Sequence, residues 1–397
     1  MTDEILAILT FQAGYNTSVV LAGAIALGIG GGVIGVFSFL RKRALISDAI
    51  SHATLPGIAL AFLIGVALGG TGQNLALLMT GAALSGALGI LAVQWIRDHT
   101  RLPEDTAIGT VLSVFFGLGI VLLSHIQTLE AAGQAGLNSF LLGSTAALSA
   151  SEAQLIAGAS LATIVIALAL MKEFGAVAFD EGFAAAQGWR VAQFDLAMLG
   201  LLLAIVAIGL KTVGLILIIA LVIIPPAAAR FWTERLGRMV ALSGAFGGLA
   251  GWLGGGVSAL LPDMPAGAVI VLAAASIFTI SLLFAPSRGV IAWGIRRFRL
   301  RLHIASARGL LTMADGYLPP DALSRRLARW RGYLGADGRM TAAGLKAAQE
   351  TRRQHRLWHA YRLSHPDAAL AFNPLSGVRI EDALPADLIA TLERETA

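Results

Sequence analysis

The sequence predicts an all-α, polytopic membrane protein of about nine transmembrane helices, followed by a small helical domain. Three observations carry that prediction. Of 397 residues, 56% are hydrophobic and 13% charged, where soluble domains carry about 25% charged residues; mean hydropathy is +0.76. Apolar runs of about 17 to 25 residues, long enough to cross a bilayer as helix, recur up to about residue 286. Arg and Lys gather in alternate connections, the asymmetry expected when basic loops stay on the cytoplasmic side.

The spans are expected near 17–40, 44–69, 74–96, 106–124, 154–172, 191–210, 213–229, 238–261 and 265–286. No basic residue precedes Arg41, and the start "MTDEILAILTFQAG" is acidic, so no cleaved leader is expected. With the N-terminus outside, the cytoplasmic connections are "RKR", "RDHTRLPED", "KEFGAVAFDEGFAAAQGWR", "RFWTERLGR" and "SRGVIAWGIRRFRLR". They hold every basic residue of 1–301 except Lys211, which sits at the uncertain 210–213 junction. The 46 glycines suit close helix–helix approach in lipid. Segment 125–153 is too polar and interrupted for a plain span and is expected to be an external loop with a short helix dipping back. Such backbone survives at depth only where protein or water lines it. There are no cysteines, so disulfides and thiolate metal sites are excluded.

After Arg301 the chain turns polar, and the domains are placed at 1–301 and 302–397. "DALSRRLARWRGYL" and "TAAGLKAAQETRRQHRLWHAYRL" have the 3.6-residue period of amphipathic helices. They predict a small helical cytoplasmic domain, which puts the C-terminus inside.

Within the second predicted span, "RKRALISDAISHATLPG" holds Asp48 and His52 four residues apart, one helical turn, with Ser51, a candidate accessory residue of an ion path, along the same side. At about 1.5 Å per residue they lie about 8 and 14 Å beyond Arg43. Charge at that depth costs at least about 2.5–3.5 kcal/mol, so such residues face a bundle interior or a cavity. Pro56 lacks the N–H that would bond the carbonyl of His52. Carboxylate, imidazole and free carbonyl form a donor set for a divalent transition ion; an Asp–His hydrogen bond that merely packs the bundle is the alternative. His125, on the external side, is a candidate accessory residue for an entering cation, and a solvated residue is its alternative.

No G-x-x-x-x-G-K-[ST] loop occurs in the chain. ATP would have to be handled by another subunit, and the chain itself is not expected to be an enzyme. The loop "FDEGFAAAQGWR" can form a short helix, with Asp180 and Glu181 near its N-terminus, where the dipole favours acids, then Gly182, and Gly188 at its end.

"RKRALISDAISHATLPGIALAF" resembles the signature of the permease subunits of ABC-type zinc/manganese/iron importers. "PEDTAIGTVLSVFFGLGIVLLS", "LNSFLLGSTAAL", "AFDEGFAAAQG", "TVGLILIIALVIIPPAAAR" and "GWLGGGVSALLPDMPAGAVIVL" are similar to further segments of that family, over nearly all of 17–286. The family more often has Phe and Asn where Leu142 and Ser144 stand. The resemblance implies an inner-membrane permease that passes manganese, zinc or iron by Asp48 and His52 and binds no other cofactor. It also implies a separate ATPase docked on 179–190, an extracytoplasmic metal-binding protein, and a second permease subunit, identical or related. An ion-gradient-driven metal transporter, or a membrane-tethered metal-responsive regulator, are the alternatives.

The tail stretch "DGRMTAAGLKAAQETRRQHRLWHAYRLSHPD" resembles part of the iron- and manganese-responsive repressors, which implies a degenerate winged helix. That resemblance nominates His355, and in "VRIEDALPADLIATLER" Glu381 and Asp382, as cytoplasmic metal-sensing residues. His359 stands where those repressors usually have Glu. Basic residues beside anionic lipid need no nucleic-acid role, so DNA is not expected as a partner.

Overall fold

The computed structural model describes residues 14–43, 45–70, 72, 74–128, 148–261, 264–335, 337–365 and 378–396. Of segment 125–153, expected to be an external loop with a short helix dipping back, residues 129–147 lie outside them, while 125–128 close the helix Glu104–Thr128 and 150–153 open the helix Ala150–Ala169. The chain divides into two compact units, Met1–Gly289 and Val290–Ala397. That division precedes Arg301 because a single helix runs unbroken from Val290 to Ala314.

The first unit is a helical bundle: α1 (Tyr15–Leu40), α2 (Ile46–Ala67), α3 (Leu75–His99), α4 (Glu104–Thr128), α5 (Ala150–Ala169), α6 (Met171–Phe179), α7 (Glu181–Ala186), α8 (Val191–Val213), α9 (Leu215–Trp232), α10 (Leu236–Leu260) and α11 (Ala266–Phe284). Among the described residues, eight of these are long and apolar enough to cross a membrane. The remaining predicted span, 213–229, corresponds to α9, which is shorter and holds Pro225 and Pro226. The junction near residue 211 is a one-glycine turn: Gly214, at φ 81°, ends α8 and starts α9.

α1 is the central element, packed mainly on α10, with α5, α9 and α8 also against it. Glycine makes the α1–α10 approach possible. A Cβ on Gly28 would lie 2.1 Å from the Gly247 carbonyl oxygen, and one on Gly247 would lie 2.0 Å from that of Gly28. Ser243 Oγ donates to the Gly32 carbonyl at 2.6 Å across the same interface. α2 crosses α3 in the same manner: a Cβ on Gly57 would meet the Gly81 carbonyl oxygen at 2.0 Å, and Ser85 Oγ donates to the Ala53 carbonyl at 2.6 Å. Small residues and interhelical hydroxyl bonds supply contact where lipid offers no hydrophobic drive.

The second unit holds α12 (Val290–Ala314), α13 (Ala322–Trp330), α14 (Ala342–Ser364), α15 (Ile380–Ala383) and α16 (Ala386–Thr396). Leu357, Trp358, Tyr361, Ile380, Ile389 and Leu392 form one small core, and Met313, Ala328, Leu334 and Ala348 another. The Thr341 hydroxyl caps α14 by accepting from Gly344 N at 3.1 Å. Between α13 and α14 the only β pairing among the described residues is a single antiparallel bridge, Leu334 with Met340. A winged helix is therefore not established in this unit; what stands is a helical domain.

Candidate metal path

α2 starts at Ile46, so Asp48 occupies its first turn and His52 the next. His52 Nε2 lies 3.3 Å from Asp48 Oδ1, with the two side chains 18% and 32% exposed. Phe116 of α4 meets the imidazole edge-on, ring centroids 4.7 Å apart. His52 Nδ1 is buried with no hydrogen-bond partner. Of the neighbouring hydroxyls, Ser51 Oγ donates to the Ser47 carbonyl at 2.7 Å and Thr54 Oγ1 to the Ser51 carbonyl at 2.6 Å, which leaves their oxygen lone pairs available. The helix runs through Pro56 unbroken. α4 packs close there, since a Cβ on Gly119 would lie 2.8 Å from Leu55 Cβ and 3.4 Å from Pro56 Cδ.

The pair fits a divalent cation. Two ligand atoms each about 2.1 Å from a metal stand roughly 3.0 Å apart at a right angle and 3.4 Å apart at the tetrahedral angle. The observed 3.3 Å between Nε2 and Oδ1 falls in that interval. Among the described residues no group of three or more His, Asp or Glu could hold a metal ion. Two donors on one helix make an incomplete shell, which suits an ion in transit better than one held permanently.

His125 is not brought to the pair. It is exposed in the last turn of α4, nine residues beyond Phe116, about 13 Å along the axis.

At the end of the bundle where α1 passes into α2, a charged cluster forms around Asp195 of α8, which is 2% exposed. Arg43 Nη1 donates to both carboxylate oxygens of Asp195, at 2.7 and 2.9 Å, and its Nε lies 2.6 Å from Glu104 Oε1. Arg97 Nη1 reaches Asp195 Oδ2 at 3.3 Å. Arg41 Nη1 lies 3.3 Å from Asp195 Oδ1 without hydrogen-bond geometry, while its Nη2 donates to Glu181 Oε2 at 2.9 Å. Burial lowers the Arg41 guanidinium pKa from its ordinary value; Asp195 and Glu181 pull the other way. Glu104 opens α4 with Asp105, so its carboxylate serves both the helix N-terminus and Arg43.

Glu181 belongs to α7, the short helix of the 179–190 loop. Asp180 caps it, Oδ1 accepting from Phe183 N at 2.9 Å, and Gly188 follows at φ 84°. A Cβ on Gly182 would lie at an ordinary 3.5 Å from Asp180 Oδ1, so the fold does not demand glycine there. Phe179 and Phe183 are 61% and 60% exposed.

In the second unit His355 lies exposed on α14. Glu381 reaches the same helix, but it accepts from Arg353 Nη1 at 2.8 Å and from Gln354 Nε2 at 2.9 Å rather than joining the imidazole. Asp382 is exposed beside it.

The profile of the ABC 3 transport family matches residues 15–285. The chain is 42% identical over 303 residues to the manganese transport system membrane protein MntC of Bacillus subtilis, covering 76% of this chain and 68% of that protein. It is 38% identical to the zinc transport system membrane protein TroC of Treponema pallidum, covering 75% of this chain and 98% of that one. Among solved structures, PsaBC from Streptococcus pneumoniae in complex with Fab superposes with a TM-score of 0.63 at 32% identity, over 76% of this chain and all of that one. None of these is a repressor, and the repressor resemblance of residues 337–382 gains no support from them.

Proposed function

The chain belongs to the ABC 3 transport family, and from that premise we propose that it is the membrane permease of an ATP-driven importer of divalent manganese or zinc. The carrying observation is the Asp48–His52 pair, whose 3.3 Å separation between Oδ1 and Nε2 suits two ligands of a doubly charged ion. The metal is cargo. It would take one carboxylate oxygen and one imidazole nitrogen from α2 and complete its shell with water or backbone carbonyls. Relatives named for manganese and for zinc both support the divalent class.

The lack of a P-loop assigns ATP to a separate subunit. Its docking point in this proposal is the 179–190 loop, where Phe179 at the end of α6 and Phe183 on capped α7 are exposed. The Arg41–Glu181 contact then links that loop to the segment entering α2, and Asp195 ties Arg41, Arg43 and Arg97 into the same body. Movement of α7 would thereby reach the metal-bearing helix through the Arg41–Glu181 ion pair and the buried charges around Asp195. An extracytoplasmic binding protein would deliver the ion, and a second permease subunit would supply the facing part of an alternating-access pathway. The placement of basic residues puts the α1–α2, α3–α4, α5–α8, α9–α10 and C-terminal connections in the cytoplasm of an inner-membrane protein. Uptake of manganese and of zinc into cells that lack other importers tests the proposal, with Asp48→Ala and His52→Ala as the diagnostic variants.

A further inference from the structure

The first half of α12 carries an apolar stripe that the second unit does not cover. Along α12 the buried residues Ala305, Ser306, Gly309 and Met313 form the face packed into the domain. Continued toward the N-terminus at helical spacing, the same face carries Leu302, Phe298, Ile295 and Ile291. Phe298 is 62% exposed, Ile295 48% and Ile291 44%. One stripe therefore runs the length of the helix, covered in its second half and bare in its first.

The charges around the bare half are of one sign. From Ala285 to Ala314 the chain has six Arg (288, 296, 297, 299, 301 and 308) and no Asp or Glu. By helical angle, Arg299 and Arg301 flank the stripe on its two sides, where long side chains can lay their stems on an apolar surface and keep their heads in a polar layer. Trp293, 55% exposed, lies beneath Arg297, 5.0 Å from guanidinium carbon to ring centroid.

Chain continuity fixes what is within reach. The last span ends at Phe284, and only residues 285–289 separate it from α12. Five residues extend at most about 18 Å. That connection is itself pinned: Ser287 donates to the Phe231 carbonyl, and Arg288 Nη2 lies 2.7 Å from Glu234 Oε1 in the α9–α10 turn. The basic amphipathic half-helix thus starts beside the bilayer that the chain spans.

We propose that residues 290–302 form an interfacial helix that docks on anionic phospholipid, Ile291, Ile295, Phe298 and Leu302 inserted at the headgroup boundary and Arg299 and Arg301 on lipid phosphates. Basic amphipathic helices with aromatic residues bind such surfaces by buried apolar area plus charge attraction. The docking holds the C-terminal unit against the membrane, and it does not depend on which ion the permease carries.

The chain has no cysteine, so single-cysteine variants of the full-length protein report cleanly. Ile295→Cys and Phe298→Cys are labelled with an environment-sensitive fluorophore, with Arg296→Cys as the opposite-face control. The labelled proteins are reconstituted into vesicles of three parts phosphatidylcholine to one part phosphatidylglycerol, or of phosphatidylcholine alone, each with spin-labelled lipid as quencher. The expected result is lipid quenching at 295 and 298 at least threefold above that at 296 in the anionic vesicles. Quenching falls at least twofold in neutral vesicles, and likewise when Arg299→Gln and Arg301→Gln are combined. Absence of lipid quenching at 295 and 298 overturns the proposal. Shielding of those positions from aqueous iodide without lipid quenching also overturns it, because protein would then cover the stripe. Equal quenching in the two compositions overturns the role of anionic lipid.

Discussion

Arg41 Nη2 donates to Glu181 Oε2 at 2.9 Å, joining residues 140 positions apart. One end of this contact lies just before the helix of the candidate metal pair, the other on the short helix proposed to meet the ATPase. Glu181 is 54% exposed, so the bond contributes little to stability, on the order of 0–1 kcal/mol. Glu181→Gln is expected to leave the unfolding temperature in detergent unchanged within about 2 °C. Metal uptake should fall severalfold in the assembled transporter, while the ATPase still co-purifies. Full uptake by this variant would show that the contact transmits nothing.

Asp195 is expected to be structural as well. It is 2% exposed, beside Arg43 and Arg41 at 5% and 6%. Removing one member of a buried ion cluster leaves unmatched charge and costs about 3–5 kcal/mol. Asp195→Asn should lower the unfolding temperature by several degrees, measured by dye-reported melting of the purified protein. Asp195→Glu, which keeps the charge, should lie between it and the wild type.

Gly57 of α2 faces Gly81 of α3, and any Cβ there meets a carbonyl oxygen at 2.0 Å. Gly57→Val is expected to force the two helices apart, costing about 1–3 kcal/mol or more. Reduced yield of folded protein in gel filtration reads this out. Gly109, which has open space around its absent Cβ, should accept alanine without loss.

The second unit should weaken in acid through Glu381. Burial alone would raise its carboxyl pKa, but its own backbone hydrogen bond, then Gln354 and Arg353, bring it below the ordinary 4.5. A carboxylate with a lowered folded pKa stabilises fully above its unfolded value, and that contribution is lost as pH falls through the folded value. Hydrogen exchange in α15 and α16 should be faster in Glu381→Gln than in the wild type at pH 7. The difference should close as pH drops below about 4.5. A difference independent of pH would mean that Glu381 acts by shape and not by charge.

Local patterns made much of this readable from sequence. The apolar runs located the spans, and four-residue spacing put Asp48 against His52, because both signals are contained within one helix. The cap at Asp180 and the turn at Gly188 were local in the same sense. Asp195 was not found, although a lone acid in "VAQFDLAMLG" is a signal in its own right. Its meaning depends on Arg43 and Arg97, 152 and 98 residues away. The arginines of "RKR" were legible as topology markers, yet their burial against α8 was not. The glycine pairs 28–247 and 57–81 were hidden for the same reason: composition shows small residues but not which helix each one meets.

The proposed passage of metal past α2 is tested most directly by uptake of manganese and zinc in a strain without other importers, comparing wild type with Asp48→Ala and His52→Ala at equal membrane abundance and equal ATPase co-purification. The account predicts that both variants lose uptake by at least an order of magnitude for the carried ion. Uptake by either variant at the wild-type rate would contradict it.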